Sequence, residues 1–171
     1  MPSDTILRPA SLADLPRLTA IYNHYITETP ITFDTVPFTV EQREPWFNRY
    51  ALTGRYRLIV AERAGAVLGY TTSSPYSDRA AYDTTVETTI LCAPECVGQG
   101  VGRLLYAELF QALQTEDVHS ALARVTLPNP GSHDIHLHFG FTEMGIMRQA
   151  GRKFDRYWDV GFYQKMMRDS A

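Results

Sequence analysis

Cysteine is scarce. The 171 residues hold only Cys92 and Cys96. Two cysteines cannot build the multi-bridge framework of a small secreted domain, and these are not a CxxC pair, so both read as reduced thiols of a cytoplasmic protein. Basic charge is short as well. Sixteen Lys and Arg stand against nineteen Asp and Glu, a formal net charge of −3, which excludes the broad cationic face that neutralises nucleic-acid phosphates. No stretch approaches the ~18 apolar residues of a membrane-spanning helix. The opening MPSDTILRPA lacks a basic stretch followed by an apolar run, so no signal peptide is expected. Repeats at solenoid periods and low-complexity tracts are missing too. What remains is 44% hydrophobic and 20% charged residues, the balance of an ordinary globular chain. The length suits one domain, 1–171, able to bury on the order of 70% of its unfolded surface without a metal or disulfide.

The apolar pattern orders the elements. Residues 4–8 read as a short strand. Ser11, with Asp14 as a variant capping box, opens a helix that carries Leu12, Leu15, Leu18, Ile21, Tyr22, Tyr25 and Ile26 at helical spacing. Residues 28–38 form an apolar-aromatic loop with two prolines, and 40–51 a second helix started or interrupted by Pro45. Residues 57–63 and 66–74 are strands about a turn at Ala64-Gly65, and 84–92 is the most β-branched run. A helix follows from Val101, then a strand over 119–127, a short helix over 131–139, and closing strands over 141–147 and 157–166. The order β-α-α-β-β-β-α-β-α-β-β predicts an α+β domain with a mixed sheet.

Strand, then Gly98-Gln99-Gly100-Val101-Gly102, then helix, is a phosphate-cradle pattern. Glycines let the backbone approach a ligand, and the first N–H groups of a helix point outward without internal partners. The dinucleotide fingerprint fails because Arg103 stands where its third glycine would be, and no Gly-Lys-Ser/Thr follows. A tight turn that needs small residues is the competing reading.

Residues 90–105, ILCAPECVGQGVGRLL, resemble the acetyl-coenzyme A motif of the GNAT acetyltransferases, with Gly100 and Gly102 matching its two glycines. Val97 departs from the usual Gln or Arg. Residues 22–34, 79–89, 127–141 and 157–163 extend the likeness to the phosphinothricin and methionine-sulfone N-acetyltransferase branch over nearly the whole chain. The resemblance implies a GNAT fold, a mostly antiparallel mixed sheet flanked by helices, and acetyl-CoA as co-substrate without a metal. Ile90, Leu91, Cys92, Gly98, Gln99, Gly100, Val101, Gly102, Arg103, Asn129 and Ser132 would then meet the coenzyme. Phe33, Arg79, Tyr82 and Thr89 match positions that line the acceptor pocket. It also implies a small-molecule amine acceptor and a homodimer, with neither nucleic acid nor membrane as partner. Ser77 and Leu91 depart from the Lys and Tyr of the herbicide-detoxifying members.

Acetyl transfer to an amine needs a base, donors for the oxyanion and a proton for the departing thiolate. Glu87 sits among uncharged neighbours in TTVETTIL. Strand alternation puts it on one face with Thr85, Thr89 and Leu91, where burial would raise its pKa; a solvent-facing edge residue is the alternative. The resemblance makes it the base, acting directly or through a water. His136, four residues before Gly140-Phe141, matches a Tyr or His of the family near the thioester sulfur, and its ordinary pKa suits proton handling. A zinc reading of His133, Asp134, His136 and His138 lacks a ligand from outside the segment. A non-catalytic acetyl-CoA sensor and an acetyltransferase for a protein N-terminus or a polyamine are the rival functions. Retention of both Glu87 and His136 argues against the first, and Arg79 against an acidic polyamine pocket.

Overall fold

Seven strands and four α-helices follow one another in the expected order in the computed structural model, which describes residues 4–168. β1 (Ile6–Pro9) leads through one 3-10 turn, Leu12–Asp14, into α1 (Leu15–Glu28). The helix expected from Ser11 therefore becomes α-helical one turn late, with Pro16 in the first turn, where a missing N–H breaks no ladder bond. Asp14 still closes the start. Its carboxylate accepts the Ser11 N–H at 2.7 Å and two Arg8 N–H groups at 2.7 and 2.8 Å, and the guanidinium holds its pKa below the ordinary value.

The second helix, α2 (Val40–Phe47), is shorter than the expected 40–51. Thr39 and Gln42 form its capping box, with the Thr39 N–H on Gln42 Oε1 at 2.8 Å and the Gln42 N–H on Thr39 Oγ1 at 3.3 Å. Pro45 lies inside, and the helix ends soon after it, as the loss of one ladder donor favours.

β2 (Leu58–Arg63) and β3 (Ala66–Pro75) are joined by Ala64 and Gly65 at φ 50° and 79°, the two-residue hairpin that needs two positive φ values. Then come β4 (Thr85–Cys92), α3 (Val101–Leu113), β5 (Ser120–Leu127), α4 (Pro130–His138), β6 (Thr142–Lys153) and β7 (Arg156–Met166). β6 runs past the expected Met147 because RQAGRK pairs with β7 without any apolar alternation to mark it.

The sheet order is β1-β2-β3-β4-β5-β7-β6. Only β4 and β5 run parallel, which their connection through α3 allows. This is the expected GNAT-like mixed, mostly antiparallel α+β architecture. Leu18 and Ile21 of α1, Leu105 and Leu109 of α3, and Val60 and Val86 of the sheet are buried in one core. Among the described residues no helix is long and apolar enough to cross a membrane. Both cysteines are free, and burial pushes the Cys92 thiol up to about 11.

The parallel pair positions the site. β4 and β5 are each eight residues long, yet they pair only over Thr85–Glu87 and Ser120–Leu122. Beyond that point the two strands diverge, and the facing backbone groups have no ladder partner across the gap.

Candidate active site

A cleft of about 930 Å³ opens where β4 and β5 part. Residues 87–91 of β4 and 123–126 of β5 form its two edges, with Asn129, Ser132 and His136 beside them. Tyr22 of α1, the 31–34 loop and one side of α2 close the other end. The parted edges offer N–H and C=O groups to an extended, amide-bearing chain.

Glu87 lines this cleft; its neighbour Thr88, which also reaches the lining, meets Tyr106 of α3 at 3.2 Å. One part of the sequence reading is corrected: Glu87 is not a lone carboxylate. Arg124 of β5 grips it from the side, Nε on Oε1 at 2.7 Å and Nη2 on Oε2 at 2.8 Å. The partner comes from across the parallel pair, so the local run TTVETTIL cannot reveal it. The carboxylate in turn raises the Arg124 pKa above its ordinary value. Each Glu87 oxygen keeps a second lone pair for a proton.

His136 is only 2% exposed yet contributes to the cleft wall. Its Nδ1 lies 2.6 Å from the Ser132 carbonyl oxygen, which can only accept, so Nδ1 carries the hydrogen. Nε2 then accepts from the Tyr106 hydroxyl at 3.0 Å. Burial pushes the pKa of the ring below its ordinary value, opposed by the bond to Ser132. At neutral pH the imidazole is neutral and terminates the chain Thr88–Tyr106–His136. His133, the other member of the zinc reading on this face, bonds Tyr163 Oη through Nδ1 at 2.9 Å.

Asn129 caps α4, its Oδ1 accepting the Ser132 N–H at 3.1 Å, and both residues line the cleft. Gly98 and Gly100 take φ values of 81° and 82°, and a Cβ on either would meet nothing within 4 Å. Their faces are open to a ligand. Gly102 is different. It lies in the first turn of α3, where a Cβ would come within 3.2 Å of Ile135 and 3.3 Å of Ile90, so its smallness also serves helix–strand packing. Val101 is buried, Arg103 is exposed, and the Gln99 side-chain amide donates to the Glu95 carbonyl at 2.7 Å. Cys92 sits beneath Gly102, and Ile90 and Leu91 line the cleft itself.

Of the acceptor residues, Phe33 and Thr89 line the cleft. The Phe33 ring lies so close to Gly151 of β6 that a Cβ there would stand 2.4 Å from it. Arg79 and Tyr82 are not brought to the cleft. Arg79 caps, and Tyr82 ends, the exposed 3-10 turn Ala80–Tyr82 beyond β3, where the Tyr82 ring packs edge-on against Tyr76 at 5.2 Å. Three residues escaped the sequence reading. Arg124 shares a strand face with Leu122 and Thr126, opposite Ala123 and Val125, which marks its face but not its partner. Tyr106 falls on the apolar stripe of α3 and reads as core. Arg43 looks like an ordinary charged residue of a short helix.

The acetyltransferase (GNAT) family model matches residues 18–141. A phosphinothricin N-acetyltransferase of Streptomyces coelicolor is 52% identical over 161 residues, 93% of this chain and 94% of that protein. The L-methionine sulfoximine/L-methionine sulfone acetyltransferase of Pseudomonas aeruginosa is 31% identical over 92% of each chain. Among solved structures, an acetyltransferase of Salmonella typhimurium with its cofactor acetyl-CoA superposes with a TM-score of 0.93 at 29% identity, covering 98% of this chain and 96% of that one.

Proposed function

Since the chain belongs to the GNAT acetyltransferase family and is an acetyl-CoA-dependent N-acetyltransferase, we propose that its acceptor is the amino group of a small amino-acid analogue of the phosphinothricin, methionine sulfone or methionine sulfoximine type. The observation that carries this reading is the Glu87 carboxylate standing in the gap between the parted edges of β4 and β5. The names of the relatives supply the acceptor class.

In this reading the pantetheine arm lies along the free edges of β4 and β5 beside Asn129 and Ser132, and the pyrophosphate meets the backbone amides of residues 98–103. Glu87 takes a proton from the acceptor ammonium, directly or through a water, while Arg124 fixes the orientation of the carboxylate. The freed nitrogen lone pair forms the C–N bond at the thioester carbonyl carbon. Collapse of the tetrahedral intermediate breaks the C–S bond, and the thiolate takes up the second proton, which the nitrogen sheds as it becomes the amide. His136, acting through the Tyr106 hydroxyl it holds, is the second proton-handling group.

The decisive assay follows free CoA thiol with methionine sulfone, methionine sulfoximine and phosphinothricin as acceptors. Thiol release with at least one of them is expected. Release only with a polyamine or a peptide N-terminus would overturn the acceptor class, and tight acetyl-CoA binding with no release at all would favour the sensor reading. Action on such analogues would serve resistance to them, in a cytoplasm that keeps Cys92 and Cys96 reduced. We read the protein as a homodimer. β6 is an edge strand that exposes Met144, Ile146 and Met147, with Tyr157 on β7, and exposed apolar edges of this kind are usually covered. Light scattering should return twice the 19.4 kDa chain mass; a monomer mass at micromolar concentration would refute the dimer.

A further inference from the structure

Arg43 of α2 is buried to 6% exposure, yet its Nε and Nη2 find no hydrogen-bond partner and no solvent. Its guanidinium carbon lies over aromatic rings, 3.7 Å from the Trp46 centroid and 4.3 Å from that of Tyr22. Rings hold the cation by its faces but leave the in-plane N–H groups unpaired. Burying such a charge is costly unless an oxygen partner arrives. The nearby acid of the cleft, Asp34, is engaged by the Tyr22 hydroxyl. Nε and Nη2 form the same edge through which Arg124 grips Glu87, so the free edge of Arg43 fits two oxygens on one atom. Arg43 also lines the cleft that holds Glu87.

Its position within the cleft narrows the guest. α2 and the residues after it run along β3, with Tyr50 Oη 2.9 Å from Ser74 Oγ and the Trp46 ring 5.8 Å from that of Tyr70. Ser74 pairs with Glu87 in the sheet, while Tyr70 pairs with Leu91. Tyr70 to Ser74 spans roughly 13 Å of strand, and Arg43 belongs to the Trp46 end. An α-carboxylate shares the carbon of the amine and stays beside it, whereas the side-chain head group is the polar part of such an acceptor that reaches farthest from the amine at Glu87 toward the Trp46 end.

We propose that Arg43 holds the tetrahedral, two-oxygen head group of the acceptor side chain, a phosphinate or a sulfone, while the Tyr22 and Trp46 rings pack against the methyl group beside it. This rests on the acceptor class proposed above. It makes Arg43 a specificity-determining residue that binds the end of the substrate remote from the reacting amine.

The test compares kcat/KM for methionine sulfone and phosphinothricin with that for methionine, which has the same chain but no head-group oxygens. The wild type should favour the oxygenated acceptors, and Arg43→Gln should shrink that ratio by roughly 10- to 100-fold, mainly through KM. Arg43→Lys keeps the charge without the flat two-donor edge and should give an intermediate ratio. It carries the test if the Gln variant does not fold by circular dichroism. An unchanged ratio overturns the assignment, whether both acceptors lose equally, as for a structural or carboxylate-binding role, or neither does. A wild type that acetylates no amino acid overturns the acceptor class, and the assignment with it.

Discussion

Replacing Glu87 by Gln is expected to lower kcat by roughly 100- to 10,000-fold near neutral pH, the usual worth of general-base help. The acceptor arrives as an ammonium, and only its neutral form has the lone pair that attacks a thioester. Glu87 is the carboxylate at the mouth of the gap between β4 and β5, and both of its oxygens are oriented by Arg124. Gln keeps the shape and one acceptor oxygen for Arg124 but cannot take up the proton. The lost contact belongs to a partly exposed pair, so the fold should persist. As pH rises toward the pKa of the amine, free base is supplied by the solution, and the deficit should shrink. His136→Gln should cost less. Burial keeps the imidazole neutral, its nitrogens are committed to Ser132 and Tyr106, and water can protonate a CoA thiolate. Profiles of kcat against pH for both variants decide the matter: a Glu87→Gln enzyme with near-normal kcat at pH 7 would remove Glu87 from the mechanism.

The contrast between Glu87 and its partner shows which features local sequence can carry. Alternation along TTVETTIL suffices to set Glu87 and Thr88 on opposite faces, because a strand has a fixed period. The glycine turn and the Asn129 cap are equally local, and Gly98, Gly100 and Asn129 behave as their residue types dictate. Arg124 is 37 residues away from Glu87 in sequence, and the contact exists only because a parallel pair brings β5 beside β4. Tyr106 was hidden differently. A buried tyrosine on an apolar helix stripe has the pattern of core, and only tertiary packing aims its hydroxyl at His136 and Thr88. For Arg43 the local signal points the wrong way, since a charged residue on a short polar helix is usually solvated. Arg79 shows the converse. The match to a family position is clear in sequence, but in the isolated chain its segment stands exposed beyond Ser74.

Gly100→Val is expected to weaken acetyl-CoA binding by roughly 10- to 100-fold, about 1.4 kcal/mol or more, with little loss of the folded core. Two effects add. Gly100 sits at φ 82° as the residue that caps α3, and an L residue there costs roughly 1–2 kcal/mol, most for a β-branched one. The turn would relieve that strain by rotating the amides at the start of α3 away from their outward aim. The new side chain would also enter the space in which nothing now lies within 4 Å of a Cβ, the space the pyrophosphate needs for close approach to those amides. Gly102→Val provides the contrast. Its Cβ would press on Ile135 and Ile90, so it should lower the melting temperature, whereas Gly100→Val should act chiefly on binding. Calorimetric titration of acetyl-CoA beside thermal melts separates the two. A folded Gly100→Val protein that binds acetyl-CoA as the wild type does would show that the phosphates lie elsewhere, and that the glycines serve only the turn from β4 into α3.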